Sequence, residues 1–347
     1  MAYTAINDPE AYFQTKLYTG DGSTPSITLD GDTDMQPDLV WIKNRDEADS
    51  HCLFDSVRGA TEVLHSDNYI AEVTDADTLT SFDSDGFALG ADVKVNTDTE
   101  AYVAWNWKAG TAFSNDASAT SIGDIDSSGS TSTTAGFSIV QWVGTGSNAG
   151  IKHGLSTKPS MIITKPTGAI GSFYTYHKSP DATDFLKLND TDAAADNATI
   201  WNDTEPTTSI FTTGTAFDSG RTFIAYCFSE ISGYSKFGSY TGNGDADGTF
   251  VYTGFRPAWV MVKRTDSVDY WYMFDNKRDV DNVMEMKLEA NTSDAEYTSV
   301  DWLDFTSNGF KWRYTGGGVN GSGSSFIYMA FAEAPFVNSN GVPCNAR

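Results

Sequence analysis

Cysteine is scarce in this chain of 347 residues: Cys52, Cys227 and Cys344 are the whole complement. An odd count with no paired spacing excludes a disulfide framework and the common zinc motifs. The four histidines, His51, His65, His153 and His177, include no two at metal-ligand spacing. Basic residues number 22 against 47 acidic ones, a net charge of -25. Such a field repels a phosphate backbone, and no Lys/Arg cluster overrides it, so nucleic acid and anionic membrane surfaces are excluded as partners. No apolar run reaches the length of a membrane span. The stretch Met1 to Pro9 has neither the basic nor the apolar region of a secretion signal. Long helical periodicity is missing, and so are the nucleophile elbow, the His-Glu-x-x-His pair, the P-loop and the dinucleotide fingerprint. Two carboxylates suffice for glycoside cleavage, but among 47 acids a chosen pair carries no information. The expectation is a protein that is not an enzyme.

What the chain does contain is a sentence repeated three times. An apolar run opened by Pro and closed by Lys recurs as Pro37–Lys43, Pro159–Lys165 and Pro257–Lys263. Before each stands an aromatic followed by a Gly-x-Gly turn, at Tyr18–Gly22, Trp142–Gly146 and Tyr240–Gly244. Each unit closes on an aromatic-rich strand: Tyr102–Trp107, Phe223–Phe228 and Phe326–Phe331. With 39% apolar and 13% aromatic residues, and abundant small polar turn formers, the composition is that of an all-β globular chain. The repeat predicts three tandem β-sandwich domains of jelly-roll or lectin-like type, at 17–110, 136–232 and 233–336. They are flanked by an N-terminal arm, 1–16, and a C-terminal tail, 337–347. A Ser/Thr/Gly-rich segment, 111–135, reads as a flexible linker, so the first domain is expected to be the more separate one. In the runs Leu39–Ile42 and Trp259–Val262 both strand faces are apolar, which places these strands inside a sandwich or under a neighbouring domain.

Trp41–Arg45, Phe54–Gly59, Leu79–Phe87 and Tyr102–Gly110, together with the ending Ala332–Pro343, resemble a family of marine bacteriophage proteins of the cyanophage and pelagiphage type. The resemblance covers almost the whole chain. Members of that family are usually of unknown function, some labelled virion, tail-fibre or lectin-like proteins. Together with the repeat and the missing catalytic motifs, the resemblance leads to the expectation of a virion component, assembled in the host cytoplasm and tail-fibre or tail-associated, that contacts other virion proteins and, by analogy with phage fibres, forms a homotrimer. It implies no catalytic residues. Alternatives within the same frame are a host-glycan-binding adhesin and a capsid decoration protein. The arm, Met1 to Thr15, is expected to attach the protein to a neighbouring subunit.

Several side chains stand out as candidates. Phe-Asp-x-x-Arg occurs at Phe54–Arg58 and Phe274–Arg278 and is replaced by Tyr176-His177-Lys178 in the middle repeat. Asp55 with Arg58, and Asp275 with Arg278, read as structural ion pairs beside a buried ring. Lys43, Lys165 and Lys263 are expected to snorkel from a strand edge. Trp201, Trp271, Trp302 and Trp312 lie near loops and are candidates for stacking on host glycans or for subunit contacts, with contacts favoured. Carboxylates two residues apart, at Asp30–Asp34, Asp83/Asp85 and Asp245/Asp247, pose a calcium question, although no complete loop is present. No other cofactor is implied.

Overall fold

In the computed structural model, which describes residues 4–344, each repeat folds on one plan. The first repeat builds a large antiparallel sheet in the order Phe13–Thr19, Ala101–Trp107, Leu39–Asn44, Cys52–Asp55, Gly59–Leu64, Val73–Thr74. A small sheet, Ser26–Thr28, Gly86–Leu89, Leu79–Asp83, lies against it. The third repeat has the same order: Ser235–Thr241, Ser325–Pro335, Phe255–Arg264, Trp271–Asp275, Leu288–Glu289, with a small sheet Phe250–Tyr252, Gly309–Trp312, Leu303–Thr306. The second runs Phe137–Val143, Thr222–Phe228, Met161–Pro166, Tyr174–His177, Asp184–Lys187, Ala195–Asp196, and pairs Ala149–Lys152 with Ile210–Thr213. In all three, the aromatic strand that ends the repeat is central, between the repeat's first strand and its Pro-led strand.

The all-β sandwich is thus present in each unit, but the units are not strung like beads. Alternation along the Pro-led strand gives it two apolar faces. Val40, Ile42, Val260 and Val262 face their own small sheet and close the sandwich cores. Leu39 and Trp41, Met161 and Ile163, and Trp259 and Met261 face the other way. There they join Trp105, Trp107, Tyr226, Phe228, Met329 and Phe331 in one core shared by the three repeats. The chain is a pseudo-threefold body: three large sheets, each turning one face inward. Packing at the centre is dense, with edge-on and tilted rings such as Trp107 against Trp259 at 5.7 Å and a residual void of about 10 Å³. That void is at most the size of a single water and leaves no channel.

Three expectations change here. The segment 111–135 is not a flexible linker. Thr111–Asn115 and Ser127–Ser132 add two strands to the edge of the second large sheet, with Ser127–Ser132 paired along Phe137–Trp142. Backbone pairing, which composition does not register, orders this polar stretch. The first repeat is no more separate than the others, because its inner face is sealed by both neighbours. The described part of the arm belongs to the body as well: Ile6, Pro9 and Phe13 are buried, and Phe13–Thr19 pairs with Ala101–Trp107. Asn7 also exchanges hydrogen bonds with Ser339 in the tail, at 2.8 and 2.9 Å.

Phe82–Phe87 forms a tight hairpin, with Ser84 and Asp85 as its two turn residues and Asp83 opposite Gly86. Gly86 does not form the turn itself. It has φ +123°, and a Cβ on it would lie 2.0 Å from the carbonyl oxygen of Ile27 on the adjoining strand. The glycine is needed because two backbones meet there.

Candidate functional site

The repeated motifs converge on the seams between repeats. Strand register makes Asp55, His177 and Asp275 equivalent, since Phe54, Tyr176 and Phe274 stand opposite Val40, Ile162 and Val260. Asp55 Oδ1 accepts the backbone N–H groups of Val57 and Arg58, and Oδ2 accepts Arg58 Nε at 2.5 Å. Tyr226, on the central strand of the second repeat, donates its hydroxyl to the same Oδ2 at 2.8 Å. In the third repeat Asp275 accepts Arg278 Nε at 2.5 Å, and Trp105 of the first repeat donates its indole N–H to Asp275 Oδ2 at 3.0 Å. In the second repeat His177 takes the place: Nδ1 lies against Ser179, 2.7 Å from its carbonyl oxygen and 3.1 Å from its backbone nitrogen, and Nε2 lies 3.2 Å from the Tyr328 carbonyl of the third repeat. Each repeat therefore grips the central strand of the next, and the ring closes from third to first.

A second set of bonds follows the same cycle. Glu72 N–H donates to Thr167 O at 2.9 Å, Ala194 N–H to Thr265 O at 2.9 Å, and Glu296 N–H to Arg45 O at 2.8 Å. Glu72 and Glu296 also complete the clasps, accepting Arg58 Nη1 and Arg278 Nη1 at 2.8 Å each. Glu296 further pairs with Arg45 at 2.7 Å. His51 joins the first repeat to the third: Trp41 donates to its Nδ1 at 2.8 Å, and its Nε2 donates to Glu289 O at 3.0 Å.

The electrostatics are those of buried structural groups. Burial works against the charge on Arg58, but Asp55, Tyr226 and Glu72 together outweigh it and hold the guanidinium firmly protonated. Burial pushes His177 down to about 4 and His51 well below its ordinary value, so both rings are neutral at pH 7. Lys43, Lys165 and Lys263 do not snorkel: all three are fully buried. Their ammonium groups donate to carbonyls, Lys43 to Asn44 O at 2.6 Å, Lys165 to Gly171 O, and Lys263 to Arg264 O at 2.8 Å and Thr191 O at 3.2 Å. Burial lowers each to about 8.

Trp201, Trp271, Trp302 and Trp312 are all buried, with at most 6% of any one exposed, so none offers a ring face to a sugar. Trp271 does make an interface, but within the chain, donating to Lys187 O of the second repeat at 2.9 Å. Trp201, Trp302 and Trp312 are enclosed by the sandwich core of their own repeat and Trp271 by the shared core, and proximity to a loop in sequence registered neither. The turn carboxylates have local partners: Asp30 pairs with Lys16 at 2.5 Å, Asp85 accepts Met35 N–H at 3.1 Å, and Asp247 pairs with Lys311 at 2.5 Å. Among the described residues no three His, Cys, Asp or Glu side chains gather to hold a metal ion.

A family model for a domain of unknown function, DUF7483, matches residues 8–335. The chain belongs to the DUF7483 family. No curated protein and no solved structure matches it. The DUF7483 match runs from the short turn before the first strand to the end of the last one, so it spans the whole pseudo-threefold body and not a single repeat.

One open feature of this DUF7483 chain was not foreseen. A groove of about 470 Å³ lies beside the third repeat, lined by Glu230, Lys236, Tyr252, Thr253 and Phe336 among others. Glu230 is fixed there between Lys178 and Lys236, at 2.7 and 2.6 Å. Aligning the three copies of the small-sheet strand would have exposed the signal, because only the third copy carries aromatic residues on its outer face.

Proposed function

We propose that this protein is a non-enzymatic structural component of a bacteriophage virion, tail-fibre or tail-associated, built to be a rigid body. The observation that carries the proposal is the destination of the repeated motifs. The Phe-Asp-x-x-Arg clasps and the buried lysines bond to backbone and to neighbouring repeats. Residues fully enclosed in this way cannot touch a substrate, and their recurrence serves construction. The likeness of the motif strings to marine phage proteins supports the same reading. An internal threefold lets one chain meet a threefold-symmetric neighbour, and a homotrimer would multiply that pattern. Capsid decoration differs from this reading in location alone.

The test is quantitative mass spectrometry of purified particles, followed by a particle reconstruction. The proposal expects the chain at fixed stoichiometry with the other virion proteins, with density at the tail. Presence in the infected-cell lysate but absence from particles would overturn it.

A further inference from the structure

The three repeats serve as internal controls for one another. In the small sheets, register makes Phe250, Ser26 and Gly150 equivalent, and likewise Tyr252, Thr28 and Lys152. The residue between them is apolar and buried in every copy: Val251, Ile27 and Ile151. The scaffold thus fixes the inner position and needs no aromatic at the outer two. In the third repeat alone those outer positions carry large rings, with Phe250 46% and Tyr252 59% exposed on one face of the strand. Tyr252 lines the groove, where Phe336, 36% exposed, supplies another ring. Rings left in water at positions where the other repeats manage with Ser, Thr, Gly or Lys call for a partner.

The polar half of the groove narrows the chemistry. Glu230 is held ionised: burial opposes the charge, but hydrogen bonds from Lys178 and Lys236 outweigh it and lower its pKa. A purely apolar partner would strip water from this fixed carboxylate and its two ammonium groups with nothing in return. An anionic ligand would have to approach a chain of net charge -25. A neutral saccharide meets both halves. Its C–H faces stack on exposed rings, and its hydroxyls donate to a carboxylate and accept from ammonium groups.

We propose that the groove bordered by Tyr252, Phe336 and Glu230 is a binding site for a neutral saccharide, with Phe250 extending the ring platform along the strand. The proposal goes beyond the structural role and does not depend on it. The test applies the full chain to an array of neutral and acidic oligosaccharides and then measures Kd for the best neutral binder by calorimetry. Phe250→Ser with Tyr252→Thr installs the residues that the first repeat already tolerates. The expected result is at least a tenfold rise in Kd with an unchanged melting temperature. Glu230→Gln, which keeps the side chain's shape, is expected to give a similar rise and serves if the double variant is unstable. No binding to any neutral saccharide at millimolar concentration, or a double variant that binds as the parent does, overturns the proposal. So does a result in which the double substitution abolishes self-association while the parent binds no sugar, since the rings would then be a contact between copies. Incorporation of the double variant into particles is expected to be normal, so failure of this site and failure of the structural role are read separately.

Discussion

Replacing Asp275 by Ala tests the seam clasp and the unity of the body together. The carboxylate is fully buried and receives Arg278 Nε, the backbone N–H groups of Lys277 and Arg278, and the Trp105 indole of another repeat. Its loss leaves a buried guanidinium with only part of its partners, which costs about 3–5 kcal/mol. The orphaned indole N–H adds about 1 kcal/mol or more, for a total of roughly 5 kcal/mol. Unfolding entropy of about 2.1 cal/mol/K per residue gives roughly 0.7 kcal/mol/K for the whole chain, so a body that melts as one unit drops by about 7 °C. A repeat of about 100 residues melting alone would drop by about 25 °C on the same scale, while the other two held still. Differential scanning calorimetry at pH 7 separates these outcomes. Resolved transitions of which only one moves would refute the shared core, and a total loss below about 1 kcal/mol would refute the clasp. Replacing the pair together, Asp275→Leu with Arg278→Met, removes both charges and is expected to cost less than half as much as Asp275→Ala.

Acid should loosen the seams before it titrates most carboxylates. The folded chain keeps His177 neutral down to about pH 4, whereas the unfolded chain takes up that proton below about pH 6.5. Stability therefore falls as pH drops from about 6.5 toward 4, by up to about 1.4 kcal/mol per pH unit for each such ring. Urea titrations at stepped pH check this, and His177→Gln should flatten the slope by one ring's share. The side-chain NMR signals of Lys43, Lys165 and Lys263 are expected to titrate near pH 8, well below surface lysines; three ordinary lysine titrations would contradict their burial. A thiol reagent should find only Cys344 in the native protein and reach Cys52 and Cys227 after unfolding. Three fast thiols would mean an open core.

Much of the fold was legible because strand-forming runs declare themselves by composition. The Pro-led runs with two apolar faces announced strands covered on both sides, and that is how Leu39–Asn44 and Phe255–Arg264 lie, between a sandwich core and the shared one. The ion pairs of Asp55 and Asp275 were readable from a recurring local motif. Their second partners, Tyr226 and Trp105, were not, since those contacts span 171 and 170 residues and no local pattern encodes them. The same blindness turned Trp271 and Trp312 into apparent surface rings. It also turned Thr111–Asn115 and Ser127–Ser132 into a linker, because a polar edge strand is recognised by the strand it pairs with. The groove was missed for a different reason. Phe250 and Tyr252 are ordinary strand residues until they are set beside Ser26 and Thr28.

The central claim is that three repeats close into one ring that opens as a whole. Native-state hydrogen exchange at the amides of Glu72, Ala194 and Glu296, one at each seam, addresses it most directly. In a closed ring all three are expected to exchange with one common free energy, equal to that of global unfolding and falling in parallel as urea is added. Exchange of any one seam amide through a much cheaper opening, with the other two still protected, would mean that the ring is three tethered domains.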